Sequence, residues 1–456
     1  MEPPEGVSSD YEFLSPMGYG NSSSCGYCGA RGATRSRRFS YYATAKSLSP
    51  QFYQTLLDRS WRRSGTLLYR PNQRQACCPH YTIRLDSCHF KPSRDQRQAI
   101  NRFNRYVLGE QYIKEAARLY PRSRDEARRR DNEFRLTERV HEAEYVNLKK
   151  PPEPAHKLSV TLEDDGFTEE KYQVYDNYQK VVHKEAPQDR TPRAFKRFLC
   201  NSPLRRNTVV GLDGSERQLG SFHQCYRIDG NLVAIGILDL LPDCVSSVYF
   251  LYHESIHKYA PGKLGALFEI ALATKQGYRW WYPGFYIHSC PKMRYKIDYS
   301  PQYILDPEAL TWDPLNVEIL GLLDNKPFVS LSLERQAAAY KRESSLDDGD
   351  GMEVSEAGPA AGDDNSVGSE DDDNLSLLRS DMPGIPSLVE MEGVDLDHIA
   401  LKTFPHGPLF KTSDLVDWDT NKITDSPSIK ASVAELVAAL GPDLVGRICL
   451  DSSSRE

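Results

Sequence analysis

The sequence lacks the features of a membrane or secreted protein. Its most apolar run, residues 232–241, is ten residues long and contains Gly236 and Asp239, whereas a membrane-spanning helix needs about 20 apolar residues. The opening stretch MEPPEGVSSDYEF has neither the basic cluster nor the apolar segment of a signal peptide. We therefore expect neither secretion nor a membrane span, and we interpret the apolar run as a buried strand.

Cysteine is scarce, with ten residues in a chain of 456, and it is unevenly placed. Cys25 and Cys28 lie in CGYC, Cys77 and Cys78 lie in ACCPH, and the other cysteines are scattered. This usage excludes a disulfide framework and is typical of an intracellular chain with one metal site. Four thiolates are enough to hold a zinc ion or an iron–sulfur cluster.

The two cysteine pairs also leave alternatives to a four-thiolate metal site open. The side chains of adjacent cysteines tend to diverge, so that one could pack while His80 or Cys88 completes the ligand set. A redox CxxC is disfavoured because no βαβ unit surrounds it, and plain core cysteines are the remaining alternative.

A surplus of charge is also absent overall, since the net charge is only -7, but the two signs are segregated. Residues 343–456 carry 7 Lys+Arg against 25 Asp+Glu, which leaves 50 against 39 in residues 1–342. A basic body with an acidic tail favours a polyanionic partner for the body.

Composition and hydrophobic pattern predict a chain of mixed α+β and α/β class with five parts. The acidic stretch has too few large apolar side chains to fold and is expected to be disordered. The parts are a flexible N-terminus (1–20), a Cys-rich domain with an Arg-rich helix (21–150), an α/β domain (151–342), the acidic insert (343–384) and a C-terminal segment returning to the α/β domain (385–456).

The order of elements in the third part points to an acyltransferase fold. Hairpin strands over 221–253 turn at Asp229-Gly230, a glycine-bearing loop at 262–265 opens a helix, and an aromatic strand follows. This order is similar to the core of the GNAT N-acyltransferases. The loop lacks the phosphate-binding spacing of those enzymes, which argues against coenzyme A.

Several stretches resemble, in this order, the arginyl-tRNA–protein transferase family. They are CGYC (25–28), LLDRSWRRSG (56–65), ACCPHYTIR (76–84), LDLLPDCVSSVYFLY (238–252) and GFYIHSCPKMRYKIDYSPQYIL (284–305). Ser60 stands where the family usually has glycine. The resemblance implies transfer of arginine from Arg-tRNA to proteins that begin with Asp, Glu or oxidised Cys, marking them for degradation.

This reaction needs cations for the acidic acceptor and groups that orient or deprotonate its amine. Arginine suits bidentate carboxylate binding, so Arg63 and Arg294 are the first candidates for the acceptor. The full acceptor-binding set is Arg62, Arg63, Lys292, Arg294 and Lys296, and the candidate catalytic residues are His288, Tyr286, Asp239 and Tyr249.

The Arg-rich stretch 94–130 is expected to contact the tRNA backbone through Arg128, Arg129 and Arg130. We expect no DNA partner and no membrane partner, and a cytoplasmic location that extends to the nucleus. Two rival functions are a metal-dependent RNA-binding protein without catalysis and a CoA-dependent GNAT acetyltransferase.

Overall fold

Two β-sheets organise the chain, and each contains strands from distant parts of the sequence. The computed structural model describes residues 11–22, 24–29, 38–211, 214, 216–347 and 376–453. The strands are β1 Glu12–Asn21, β2 Phe39–Ser47, β3 Arg62–Ser64, β4 Leu67–Pro71, β5 Tyr81–Asp86, β6 Leu158–Asp164, β7 Asn207–Val210, β8 Glu216–Ile228, β9 Asn231–Leu240, β10 Cys244–Tyr252, β11 Trp280–Tyr282, β12 Phe285–Tyr286, β13 Gln302–Leu305, β14 Trp312–Pro314, β15 Ala400–Lys402, β16 Leu409–Lys411 and β17 Ile448–Asp451.

In sequence, most α-helices of the described residues connect one strand of these sheets to the next. They are α1 Pro50–Leu57, α2 Arg94–Leu119, α3 Arg124–Asn132, α4 Leu136–Arg139, α5 Glu169–Tyr178, α6 Pro192–Phe195, α7 Pro261–Gln276, α8 Pro291–Arg294, α9 Val317–Asn325, α10 Leu331–Asp347, α11 Leu388–Glu392 and α12 Ile429–Leu440. No helix in this part of the chain is both long enough and apolar enough to cross a membrane.

The first sheet has the order β16-β15-β17-β1-β2-β4-β3. The pairing of β17 with β1 is parallel, with Glu12 opposite Ile448. Helices α1 and α12 pack apolar side chains such as Phe52, Leu436 and Leu440 onto this sheet, all fully buried.

The second sheet has the order β14-β13-β5-β11-β10-β9-β8-β6, with β12 beside β5 and β7 beside β8. Helices α2, α4 and α7 cover one face through residues such as Phe103, Leu267 and Ile270. Helix α5 and the segment after it cover the other face through Val174, Tyr175 and Phe195. The predicted mixed α/β class is confirmed.

Four predicted boundaries differ from the structure because long-range pairing overrides local composition. Residues 12–20, expected to be flexible, form most of β1, while residues 1–10 lie outside the described part.

The predicted N-terminal domain does not close at residue 150, because β5 belongs to the second sheet and α2 packs on α7. The C-terminal segment returns to the first sheet through β17, not to the second. The predicted single Arg-rich helix over 94–130 is two helices, α2 and α3, with Tyr120 at the end of the first and Ser123 capping the second.

The predicted acidic insert lies only partly within the described residues. Residues 348–375 are outside them, and Asp347 ends α10. Residues 376–384 are not a disordered continuation, because Leu377 is fully buried and its backbone N–H donates to Glu435 at 2.8 Å. The predicted end of the insert at residue 384 is therefore wrong for its last nine residues.

Candidate active site and cysteine cluster

Two loops of the first sheet bring four thiols together. Cys25 and Cys28 follow β1, and Cys77 and Cys78 lie in the connection from β4 to β5. Their four Sγ atoms all lie within 4.8 Å of one another, and the Cys28 and Cys77 sulfurs are 3.8 Å apart. All four are free thiols, so the predicted cysteine set converges on one point.

The local backbone favours a thiolate in this cluster. Burial alone would raise the pKa of Cys25, but backbone N–H groups of Cys28 and Tyr27 and neighbouring thiols outweigh it and lower that pKa to about 7. Burial and the same neighbours raise the pKa of Cys77 to about 11. A bound metal ion would require the other thiols of the set to lose their protons as well.

His80 and Cys88 do not join the cluster found among the described residues. His80 is buried between the rings of Tyr27 and Phe285, and neither ring nitrogen has a hydrogen-bond partner in the described structure. Burial lowers the pKa of His80 to about 3, so its imidazole is neutral. Adjacent Cys77 and Cys78 therefore both contribute, contrary to the divergence expected of neighbouring side chains.

Arg63 and Asp239 form a buried ion pair that joins the two sheets. Arg63 on β3 donates from Nε and Nη2 to the two carboxylate oxygens of Asp239 on β9, at 2.8 and 2.6 Å. The Ser221 hydroxyl completes the set, accepting from Arg63 at 3.0 Å and donating to Asp239 at 2.5 Å. Both charged side chains are almost inaccessible. Each charge is thus neutralised by the other inside the core. Arg63 as an acceptor-binding residue and Asp239 as a catalytic residue stay predictions.

Arg62 and Lys296, two of the predicted acceptor-binding cations, are also buried. The Arg62 guanidinium lies over the ring of Phe285 at 4.7 Å, and its Nε and Nη2 have no partner in the described structure. Lys296 Nζ donates to the Phe285 carbonyl at 2.7 Å. Burial, together with the nearby Arg62 charge, lowers the pKa of Lys296 to about 7.

His288 and Tyr286 belong to a chain of hydrogen bonds whose third member, Asp324, the sequence did not indicate. The Tyr286 hydroxyl lies 2.6 Å from His288 Nδ1, and His288 Nε2 lies 2.7 Å from the Asp324 carboxylate. Arg294 Nη2 is 3.7 Å from the same carboxylate and remains half exposed. Lys292, two residues earlier, is also exposed. Of the predicted acceptor-binding cations, Arg294 and Lys292 are thus the two that solvent reaches.

Tyr249 lies just after the point where β10 separates from β11. The β10 and β11 strands pair in parallel only from Cys244↔Trp280 to Ser246↔Tyr282. A bulge between Ser247 and Tyr249 also breaks the register of β10 against β9. Bulges re-aim side chains and leave one residue outside the ladder. The Tyr249 hydroxyl there lies 3.1 Å from His183 Nε2.

Glu269 is a buried acid that sequence reasoning missed. It lies in α7, where its carboxylate accepts from the indole N–H of Trp281 at 2.8 Å and from Ser247. Burial raises its pKa to about 7. An acid in the otherwise apolar run GALFEIALA was the available signal.

The predicted glycine loop at 262–265 is wrong, because α7 begins at Pro261 after Ala260 in the left-handed conformation. Gly265 lies within the helix, where a Cβ would overlap the Phe250 ring, so this glycine serves close packing. Ser60, in the position where glycine was expected, has a φ of 64°, which is the conformation that favours glycine.

Two sequence models of one protein family match this chain. "Arginine-tRNA-protein transferase, N terminus" matches residues 23–98, and "Arginine-tRNA-protein transferase, C terminus" matches residues 170–306. The chain belongs to the arginine-tRNA-protein transferase family.

Curated relatives carry the same family name. "Arginyl-tRNA--protein transferase 1" of Drosophila melanogaster is 28% identical, covering 69% of this chain and 85% of that protein. "Arginyl-tRNA--protein transferase 1" of Saccharomyces cerevisiae is 30% identical over 55% of this chain and 48% of its own length. "Aspartate/glutamate leucyltransferase" of Pseudomonas fluorescens is 26% identical over 56% of this chain and 79% of its own length.

The two family segments contain the cysteine cluster and the Arg63–Asp239 pair, but not the arginines predicted to bind tRNA. Arg128, Arg129 and Arg130 lie on α3, between the matched segments. Arg128 and Arg129 are exposed, whereas Arg130 is paired with Glu142 at 2.6 Å. The first two therefore remain the better candidates for phosphate contacts.

Proposed function

We propose that this chain transfers arginine from arginyl-tRNA to the α-amino group of proteins that begin with Asp, Glu or oxidised Cys. The observation that carries the proposal is the match of both family segments, which supply the two halves of the buried Arg63–Asp239 junction. The names of the eukaryotic relatives support the same reaction.

The second sheet is proposed to be a GNAT-like acyltransferase core. In support, β10, α7 and β11 form a parallel β-α-β unit whose strands separate after Ser246 and Tyr282. The bulge at Ser247–Tyr249 lies at the start of this gap. The backbone N–H of the extra residue would be free to stabilise a developing oxyanion.

The reaction joins the acceptor amine to an ester. The amine nitrogen attacks the arginyl carbonyl carbon, a C–N bond forms, and the bond from that carbon to the ribose oxygen of the tRNA breaks. The amine loses one proton and the departing ribose oxygen gains one. Because an α-amino group has a pKa of about 7.7–8.0, a sizeable neutral fraction exists near neutral pH. Positioning would then supply most of the acceleration.

The exposed cations Arg294 and Lys292 are the proposed readers of the acidic acceptor side chain. The Asp324 carboxylate holds Arg294 from one side and orients His288. Arg294 is therefore pre-positioned for bidentate binding of a second carboxylate.

We propose that Cys25, Cys28, Cys77 and Cys78 hold one zinc ion. Thiolates 2.3 Å from a tetrahedral centre lie about 3.8 Å apart, and the Cys28–Cys77 separation is 3.8 Å. In a four-iron cluster each thiolate binds a different iron atom, which would spread the sulfurs further than the 4.8 Å found here. The ion would tie the loop after β1 to the loop before β5 and contribute to folding.

The direct test is transfer of labelled arginine from charged tRNA to a peptide that begins with Asp. A peptide that begins with Gly, free arginine in place of Arg-tRNA, and acetyl-CoA as donor are the controls. Label on the Asp peptide from Arg-tRNA alone would support the proposal. Binding of tRNA without transfer by the metal-loaded protein would instead support a non-catalytic RNA-binding protein.

The metal is tested by elemental analysis and absorption spectra of protein purified without oxygen. We expect one zinc per chain and no visible absorption, with loss of the zinc in Cys77→Ser. Cys88→Ser is the matched control, because Cys88 is exposed and outside the cluster. Iron and sulfide with a brown colour would refute the zinc assignment.

A further inference from the structure

A cavity of about 1110 Å³ lies between the first sheet and the helices on the second sheet. Strands β2 to β4 supply one wall through residues such as Ser64 and Thr66. The other wall contains two π-helical turns, Gln179–His183 and Lys196–Cys200. Single π-helical turns are frequent at functional sites, and here both of them border the same space.

The first π-helical turn gives this cavity an acidic, acceptor-rich wall. Lys184 adopts a left-handed conformation, and the Glu185 N–H returns to the Gln179 carbonyl at 3.1 Å. This turn places Gln179, Glu185 and Asp189 on the lining of one cavity. None of the ion pairs found in the described structure engages either carboxylate.

Gln179 gives the second, independent indication of a ligand. Its side chain is 4% exposed and lines the cavity, and its amide interacts with the hydroxyls of Tyr175 and Tyr249. Its Oε1 accepts no hydrogen bond in the described structure. An unfilled buried acceptor costs about 1–3 kcal/mol, and a donor brought by a ligand would remove that cost. A ligand that donates hydrogen bonds and carries positive charge would satisfy Gln179 Oε1 and Glu185 together.

The same wall leads to the gap between β10 and β11. Phe198 lines the cavity and packs edge-on against Tyr249, with ring centroids 5.2 Å apart. Glu185 lies close enough to Tyr249 to raise its pKa, although burial is the larger cause. A group bound beside Glu185 is consequently adjacent to the bulge where the acyl carbon would be attacked.

We propose that this cavity holds the side chain of the arginine being transferred, with the guanidinium against Glu185 and Gln179 Oε1. This inference rests on the proposed function and assigns the donor side chain to a part of the same site. A guanidinium presents five N–H donors and a permanent charge, which complements a carboxylate, an amide oxygen and flanking aromatic rings.

The mouth of the cavity fits the rest of the donor. Arg193 and Arg197 also line the cavity, are exposed, and are paired with no carboxylate in the described structure. They are suited to a phosphate near the 3′ end of the tRNA. An acidic acceptor side chain would instead meet Glu185 at the inner wall, and like charges disfavour its binding there.

The test uses a stable adenosine carrying arginine through a 3′-amide, and its citrulline counterpart, which has the same shape without the charge. We expect the wild-type protein to bind the arginine compound roughly 10- to 100-fold more tightly, the range for one charge-assisted hydrogen bond. Glu185→Gln should reduce this ratio to near one. Glu169→Gln is the matched control, because Glu169 is on α5 and does not line the cavity.

The outcomes distinguish a wrong pocket assignment from a wrong proposed function. Retained discrimination in Glu185→Gln, by a protein that transfers arginine, would refute the assignment of the pocket and leave the proposed function standing. A change in the preference for Asp over Gly peptides, with donor discrimination intact, would make the cavity an acceptor site and also refute it. Absence of transfer by the wild-type protein would refute the proposed function itself. Thermal unfolding of both variants checks that each is folded.

Discussion

Replacing Asp239 with alanine should destabilise the protein by about 3–5 kcal/mol. Asp239 accepts two hydrogen bonds from Arg63 and one from Ser221, at 2.8, 2.6 and 2.5 Å. Its removal leaves a buried guanidinium without a counter-charge. Burial lowers the pKa of Arg63 and Asp239 raises it. Arginine stays protonated in proteins, so the variant could not relieve the cost by losing the proton.

The pair can be separated from catalysis by replacing both partners. In Arg63→Met/Asp239→Leu no charge is left in the core, so we expect most of the lost stability to return. Urea denaturation of the wild-type protein, both single variants and the double variant gives the coupling energy. Arginine transfer by the double variant should stay within a few-fold of the wild-type rate if the pair only stabilises the fold, because both side chains are buried.

The reasoning fails if Asp239→Asn unfolds at the wild-type urea concentration but loses transfer activity. Such a result would mean that the carboxylate takes part in the reaction. It would support the prediction of Asp239 as a catalytic residue.

Three further changes test the packing, the buried acid and the exposed arginines. Gly265→Ala should lower the free energy of unfolding by about 1–3 kcal/mol, because its Cβ meets an aromatic ring. The control Gly262→Ala should not lower it, because a Cβ there meets nothing within 4 Å. Equal urea midpoints for the two variants would contradict the packing argument. The Glu269 pKa is raised from 4.5 to about 7, so the folded state keeps a proton that the unfolded state loses, and stability should fall by about 3 kcal/mol as pH rises through this window. Glu269→Gln should remove that dependence on pH, and a persistent slope would point to another group. Arg128→Ala/Arg129→Ala should weaken tRNA binding and reduce its salt slope by roughly 1–2, and an unchanged slope would place the tRNA elsewhere.

Side-chain type was enough to predict the cysteine cluster, because few residues other than paired cysteines form such a set. The exposure of individual cations could not be predicted in the same way. Arg63 and Arg294 both lie in basic stretches, yet Arg63 meets a carboxylate 176 positions away along the chain. Only the pairing of strands from two sheets decides which arginine solvent reaches.

Fold class followed from the order of strands and helices, whereas domain boundaries did not. The run of β8 to β11 is local, with short turns such as Asp229-Gly230, so pattern and structure agree there. The membership of β5 and β17 depends on partners far away in sequence. Glu269 could be seen as an acid in an apolar helix, but its role depends on Trp281, which the pattern does not place beside it.

The central position of β17 in the first sheet affects how the protein is made. Strand β1 emerges from the ribosome early, but its parallel partner β17 lies more than 430 residues later, and the Ser15 hydroxyl meets the Asp451 carbonyl only then. During synthesis the open edge of β1 is an unpaired template exposed to other chains. Nascent chains interrupted before residue 448 would keep that edge. Quality control by chaperones and proteases, not partial activity, is the expected fate of such fragments.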